Sequence, residues 1–245
     1  LRTIRSGFTL SQFEEAVFSL EKYHIDVITL GCSKNLVDSE KLMKLLEESG
    51  YTLRHNPDKV SGEIVVINTC GFIDSAKAEA IDFILHTAAM KADGLVGKIL
   101  VTGCLSQRYQ DEIMKEMPEV DGVLGTGSYT EVVSAIEKLL ADKTVNEFGS
   151  IDAPEVETGR VLTTPEHYAY IKIAEGCDNR CSYCAIPLIR GPYRSRSMDK
   201  VLEEMHTLSR GGTKEQILIS QDTTRSAGDQ PCICLHIIKT ADGPQ

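Results

Sequence analysis

Four short apolar runs recur along this chain, each followed by a stretch with helical spacing, and that alternation limits the possible fold more than any other feature. HIDVITLG occupies residues 24–31, EIVVINT 63–69, KILVTG 98–103 and GVL 122–124. After the first run, Leu36, Met43 and Leu46 mark a helical stripe over residues 36–49, which Gly50 closes. Ile73, Ala80, Ile84 and Ala88 mark a second stripe, a shorter helix is expected near residues 107–117, and Val132, Val133, Ile136 and Leu140 mark the last. Strands that alternate with helices predict a parallel sheet with right-handed crossovers. Residues 24–141 therefore read as one α/β domain. No phosphate-binding glycine fingerprint follows the first strand, so the layout does not indicate a dinucleotide site.

Residues 142–166 lose this periodicity and gain Pro, Gly and Thr, which reads as a linker with a short strand at its end. A second unit opens at 167 with the strand YAYIKIA and continues with a helix over 198–210 and a strand, QILIS, over 216–220. These make one strand–helix–strand unit, with its apolar face expected to lack cover. Residues 226–245 show no clear period and read as a divergent tail, and residues 1–23 as an N-terminal extension.

The chain has eight cysteines among its 245 residues. Residues 1–23 contain three acids and no continuous apolar core, unlike a signal peptide, and no apolar run reaches the roughly 20 residues that cross a bilayer. The cytoplasm is then the default location, with no membrane association. Thiols stay reduced there, so cysteines bind metal or do chemistry more often than they staple a fold. Acids outnumber bases, 36 against 26, for a net charge of −10. Such a chain repels nucleic acid unless bases gather on one face, so no direct nucleic-acid binding is expected. The same acidity suits a basic protein partner, or serves only solubility.

Two sets of cysteines stand out. Cys177, Cys181 and Cys184 are spaced CxxxCxxC in EGCDNRCSYCAIP, directly after a strand. Three thiolates on one loop can hold three irons of a cubane and leave the fourth open to a ligand. A bacterial ferredoxin saturates its clusters with a fourth cysteine. Zinc is the alternative, but it prefers four ligands in paired clusters, and no partnering pair lies at a suitable distance. Cys32, Cys70 and Cys104 form the second set. Each ends a predicted parallel strand, and in an open α/β sheet these ends share the edge where ligands bind. Any one of them alone reads as a core cysteine; three at equivalent positions point to a second metal site.

The CxxxCxxC loop with Tyr183 before its last cysteine resembles the signature of the radical S-adenosylmethionine superfamily. LGCSKNLVDSE, INTCGFIDSAKAEAI, TGCLSQRY, AIPLIRGPYRSR and the QDTTR at 221–225 narrow the resemblance to the methylthiotransferases, over about residues 24–225. GCSKN and NTCGF, where tRNA-acting relatives carry GCQMN and NTCxVR, resemble the branch that modifies an aspartate of a small-subunit ribosomal protein. The resemblance implies a Rossmann-like parallel-sheet methylthiotransferase domain, then the start of a radical-SAM open β/α barrel over 167–225. It implies two 4Fe-4S clusters, an auxiliary one on Cys32, Cys70 and Cys104 and a radical-generating one on Cys177, Cys181 and Cys184. It also implies S-adenosylmethionine as cofactor, the ribosomal protein as substrate, and an electron donor such as flavodoxin or ferredoxin. A tRNA adenosine methylthiotransferase and a non-catalytic cluster-binding fragment are the alternatives.

Arg190, Arg194 and Arg196 form a basic group beside the loop. They read either as partners of a carboxylate, that of S-adenosylmethionine or of the substrate aspartate, or as a solvated turn. Gln221 and Asp222 end the second strand, the face where such folds bind ligands, and with Tyr183 and Arg194 are expected near S-adenosylmethionine. Cys232 and Cys234 could bind metal, but are expected to be incidental. Family members continue well past residue 225, so the chain is expected to be inactive on the ribosomal protein.

Overall fold

A computed structural model of the chain describes residues 23–153 and 156–225. The expectations for residues 1–22, the tail 226–245 and the Cys232–Cys234 pair lie outside the described residues.

The first half is a six-stranded parallel sheet in the order β2-β1-β3-β4-β5-β6. Its strands are β1 (His24–Thr29), β2 (Thr52–His55), β3 (Ile64–Thr69), β4 (Lys98–Gly103), β5 (Gly122–Leu124) and β6 (Val145–Glu147). The helices between them are α1 (Ser33–Glu48), α2 (Asp74–Ala92), α3 (Cys104–Glu116) and α4 (Val132–Leu140), the last preceded by a 3₁₀ turn at Thr126–Glu131. β3 explains why the central strands read as continuous apolar runs. Ile64 and Val66 pack with Leu42, Leu46, Ile136 and Leu139 of α1 and α4, while Val65 and Ile67 pack with Ala80, Ile84, Leu105 and Ile113 of α2 and α3. Both faces of the sheet are covered, as parallel sheets require. Full burial of side chains such as Leu42 and Ile84 stabilises by roughly 1.5–3 kcal/mol each.

Two strands escape a reading of apolar periodicity. β2, Thr-Leu-Arg-His, is a half-exposed edge strand paired in parallel with β1. β6 lies inside the stretch that reads as linker and pairs in parallel with β5. The linker thus begins with a strand of the sheet. Its later residues are also held. Arg160 and Thr163 both bond the buried Glu40 of α1, at 3.1 Å and 2.8–2.9 Å.

Strand order 2-1-3 places the reversal of winding direction between β1 and β3, with α1 and α2 on opposite faces. Open α/β sheets bind ligands in the crevice at the carboxyl ends of the strands beside such a point. Cys32 and Cys70 follow those two strands.

The second half contains β7 (Tyr168–Lys172), the short antiparallel pair β8 (Ala174–Glu175) and β9 (Arg194–Ser195), α5 (Ile186–Arg190), α6 (Met198–Arg210) and β10 (Glu215–Ile219). β7 and β10 pair in parallel, and α6 crosses between them. Ala169, Ile171 and Ile173 pack on Val201 and Leu208 of α6, so one face of this strand–helix–strand unit is covered by its own helix. Ser197 caps α6 by accepting from the Lys200 amide.

Candidate metal centres at the sheet edge and on the cysteine loop

The carboxyl edge of the large sheet is built by glycines and by one asparagine. Gly31 and Gly103 precede Cys32 and Cys104, with φ of +96° and +100°. A Cβ on Gly31 would stand 2.5 Å from Cys70 Cβ, and one on Gly103 would stand 2.4 Å from Thr69 O. Only glycine lets these neighbouring chains approach so closely. Cys32 then caps α1 and Cys104 is the first residue of α3. Both helices begin three residues earlier than apolar spacing predicts, because the expected Ser, Thr, Asp or Asn cap is a cysteine or a glycine. The positive ends of two helix dipoles therefore meet where thiolates or an anionic cluster would sit.

Asn35 holds the three turns together. Its side-chain amide donates to Leu30 O (3.1 Å) and Thr69 O (2.9 Å). Its Oδ1 lies 3.9 Å from Cys32 Sγ and 3.7 Å from Cys104 Sγ. Asn68 supports it by donating to Asn35 O and Ser39 Oγ, both at 2.9 Å. The ladder sets Thr69 opposite Gly103, so Cys70 and Cys104 leave the sheet side by side. Cys70 and Cys104 are buried and Cys32 is exposed, which leaves the group open on one side. Burial pushes the Cys104 thiol up, and the Arg190 guanidinium opposes that shift.

Cys177, Cys181 and Cys184 lie on the loop between β8 and α5 and line one open depression with Asp178, Arg180 and Pro187. The loop is pinned by backbone bonds from Cys177 N to Gly191 O (3.1 Å) and from Cys184 N to Cys181 O (3.0 Å). Asp178 accepts from Tyr193 N (3.0 Å) and Arg225 Nη1 (2.9 Å), contacts that hold its carboxyl below the usual range, the Tyr193 bond most strongly. All six described cysteines are free thiols. Among the described residues, no three His, Cys, Asp or Glu side chains are grouped to hold one metal ion. A cubane makes a different demand, since each cysteine takes a separate iron and the sulfurs need not converge on a point. The donor chemistry, free thiols with Cys32 exposed in one group and Cys181 in the other, suits such clusters.

The residues expected near S-adenosylmethionine part company. Tyr183, on the cysteine loop, is 85% exposed. Asp222 accepts from Asn179 Nδ2 of the cysteine loop (3.1 Å), and with Gln221 it sits at the end of β10. Arg194 instead donates to Pro192 O (2.7 Å) and Arg190 O (3.2 Å) and lines a separate cavity between the halves, with Asp38, Tyr129 and Lys172.

Neither expectation for the basic group describes Arg190 or Arg196. Both are buried and committed to protein carboxylates. Arg196 grips Glu157 through Nε (2.8 Å) and Nη2 (2.6 Å) and reaches Glu204 (2.6 Å). Arg190 crosses between the halves. It meets Asp38 (2.6 Å), Asn35 (2.7 Å), Glu175 (3.2 Å) and Cys104 Sγ (3.2 Å). Lys172 completes the group with Asp38 (2.5 Å) and Glu175 (2.7 Å). Burial works against the Asp38 carboxylate, but Lys172 and Arg190 hold its pKa well below the usual range. Sequence reasoning missed Asn35, Asp38, Lys172 and Glu175. The signal was present: Asp38 follows Val37 in a buried helix, and Lys172 interrupts the apolar run YAYIKIA.

A cysteine-edged parallel sheet joined to a strand–CxxxCxxC loop–helix unit defines a radical S-adenosylmethionine protein with an additional N-terminal cysteine site. Family models agree, with Uncharacterized protein family UPF0004 matching residues 24–125 and the Radical SAM superfamily matching 171–243. The chain belongs to the radical S-adenosylmethionine methylthiotransferase family. It is 48% identical over 205 residues to the ribosomal protein uS12 methylthiotransferase RimO of Parabacteroides distasonis, covering 84% of this chain and 45% of that protein. It is 47% identical over 207 residues to the protein of the same name from Thermoanaerobacter sp., covering 84% and 47%. The corresponding protein of Phocaeicola vulgatus is 49% identical over 205 residues, covering 84% and 45%. The chain thus spans about half the length of the curated relatives it matches.

Proposed function

We propose that this chain carries the cluster-binding part of an enzyme that methylthiolates an aspartate of the small-subunit ribosomal protein uS12. The observation that carries the reading is that Arg190, on the helix that follows the cysteine loop, reaches Cys104 Sγ at the sheet edge at 3.2 Å. Cys177, Cys181 and Cys184 would hold one 4Fe-4S cluster, and Cys32, Cys70 and Cys104 the other. When bound, the loop cluster supplies the electron that splits S-adenosylmethionine, and the edge cluster supplies the sulfur chemistry.

The protein's own residues do the rest. Gly31 and Gly103 let the edge turns close together, Asn35 fixes their spacing, and the dipoles of α1 and α3 favour anionic ligands there. The loop would keep one side open for S-adenosylmethionine; the support for Tyr183, Asp222 and Gln221 as its contacts is that Tyr183 is exposed on the loop and Asp222, next to Gln221, bonds Asn179 of the loop. Arg194, which lines the separate cavity between the halves, is the member of that set with the weakest support. An electron donor of the flavodoxin or ferredoxin type would reduce the loop cluster. Among the described residues no helix is long and apolar enough to cross a membrane, and a ribosomal substrate fits a cytoplasmic enzyme.

Adding S-adenosylmethionine to the anaerobically reconstituted, reduced chain is expected to change the EPR spectrum of the loop cluster. Cys181→Ala should abolish that change. A spectrum insensitive to S-adenosylmethionine would contradict the proposal.

A further inference from the structure

Arg190 belongs by sequence to the loop half, on the short helix that leaves Cys184, yet its guanidinium lies inside the sheet half. Its side chain is 2% exposed. Nε and Nη2 both point at Cys104 Sγ, at 3.3 Å and 3.2 Å. Two N–H groups on one sulfur match a thiolate, the form in which a cysteine holds iron, far better than a neutral thiol, which is a weak acceptor. The opposite side of the guanidinium meets Asp38 and Glu175, which Lys172 also bridges. These four groups, two cations and two carboxylates, balance in charge. The balanced group presents its cationic end to the sulfur.

We infer that Arg190 is a positioning residue that sets the reduction potential of the cluster on Cys32, Cys70 and Cys104. The inference rests on the cluster assignment above. A fixed positive charge against a ligand sulfur, away from water, stabilises the added electron, and hydrogen bonds to that sulfur act in the same direction. Asp38 opposes it. Removing the Arg190 cation leaves the group net negative, whereas removing the Asp38 charge leaves it net positive. The two changes must therefore move the potential in opposite directions. A residue that only packs would produce no such reversal.

The test is a redox titration followed by EPR on the full chain carrying Cys177→Ala, Cys181→Ala and Cys184→Ala, so that one cluster remains. Arg190→Gln is expected to lower the equilibrium constant for reduction at least tenfold, about 59 mV for a one-electron couple. Asp38→Asn is expected to raise it, and Arg190→Lys, which keeps the charge, to fall between wild type and Arg190→Gln. Unmoved potentials with iron content intact, or shifts of the same sign in Arg190→Gln and Asp38→Asn, would overturn the inference alone. Failure of the parent chain to take up iron at this edge would overturn the cluster assignment with it. If Arg190→Gln does not fold, Asp38→Asn and Arg190→Lys carry the test, and no upward shift in Asp38→Asn refutes it.

Discussion

Gly103→Ala probes the turn that brings Cys104 beside Cys70. Gly103 has φ 100° and ψ −158°, a region that is essentially glycine-only and costs a side chain about 1–3 kcal/mol. The added methyl would also stand 2.4 Å from Thr69 O and 2.4 Å from Asn68 Oδ1. Thr69 O belongs to the end of β3, paired with β4, and cannot retreat without opening the ladder. Overpacking of this kind adds roughly 1–3 kcal/mol, so the combined loss is ~2–6 kcal/mol. Gly50→Ala is the control. Its φ is +87° with nothing within 4 Å, so only the left-handed penalty of about 1–2 kcal/mol applies. Urea denaturation followed by circular dichroism measures both variants. A loss at Gly103 no larger than that at Gly50 would refute the close-approach reasoning.

Other outcomes follow from the buried charges. Lys172 and Arg190 keep Asp38 ionised in the folded chain, so its folded pKa lies below the unfolded value near 3.8. The stability it contributes is complete above that value and fades as pH falls below it. Wild type should lose stability more steeply than Asp38→Asn as pH falls below about 3.8; equal slopes in acid denaturation would refute the assignment. Arg196→Gln strands Glu157, while Arg160 still holds Glu204 at 2.9 Å, for an expected loss of ~1.5–3 kcal/mol, and Arg196→Lys should recover only part because it lacks the bidentate fork. A thermal-melt shift indistinguishable from zero for Arg196→Gln would show that those contacts are not formed. Asn35→Ala removes the amide between the turns after β1 and β3 and leaves buried carbonyls unpaired. It should lower iron uptake at the sheet edge while the loop keeps its share, measured in the triad variants described below.

What could be read from the sequence follows physical rules. β1, β3, β4 and β5 were legible because strands buried on both faces read as near-continuous apolar runs, and Ile64–Ile67 shows this most clearly. β2 was not, since Thr52–His55 is a half-exposed edge with no period to detect. β6 was hidden because three residues, Val-Asn-Glu, are too few to show alternation. The place of Cys32, Cys70 and Cys104 after three successive sheet strands was legible from spacing. Arg190 was not. Its partners lie 152 and 155 residues away in Asp38 and Asn35, and no local pattern separates an arginine destined for a buried carboxylate from one on a solvated turn. Neither reading of that group, partner of a ligand carboxylate or solvated turn, describes Arg190 and Arg196, because both fold inward.

The central claim is that six cysteines make two separate cluster sites. Iron and sulfide analysis after anaerobic reconstitution tests it most directly, on the full chain and on variants with either cysteine triad changed to alanine. Two cubanes predict about eight irons per chain, falling to about four in each triad variant. Bound zinc without iron, or iron content unchanged by removing Cys32, Cys70 and Cys104, would contradict it.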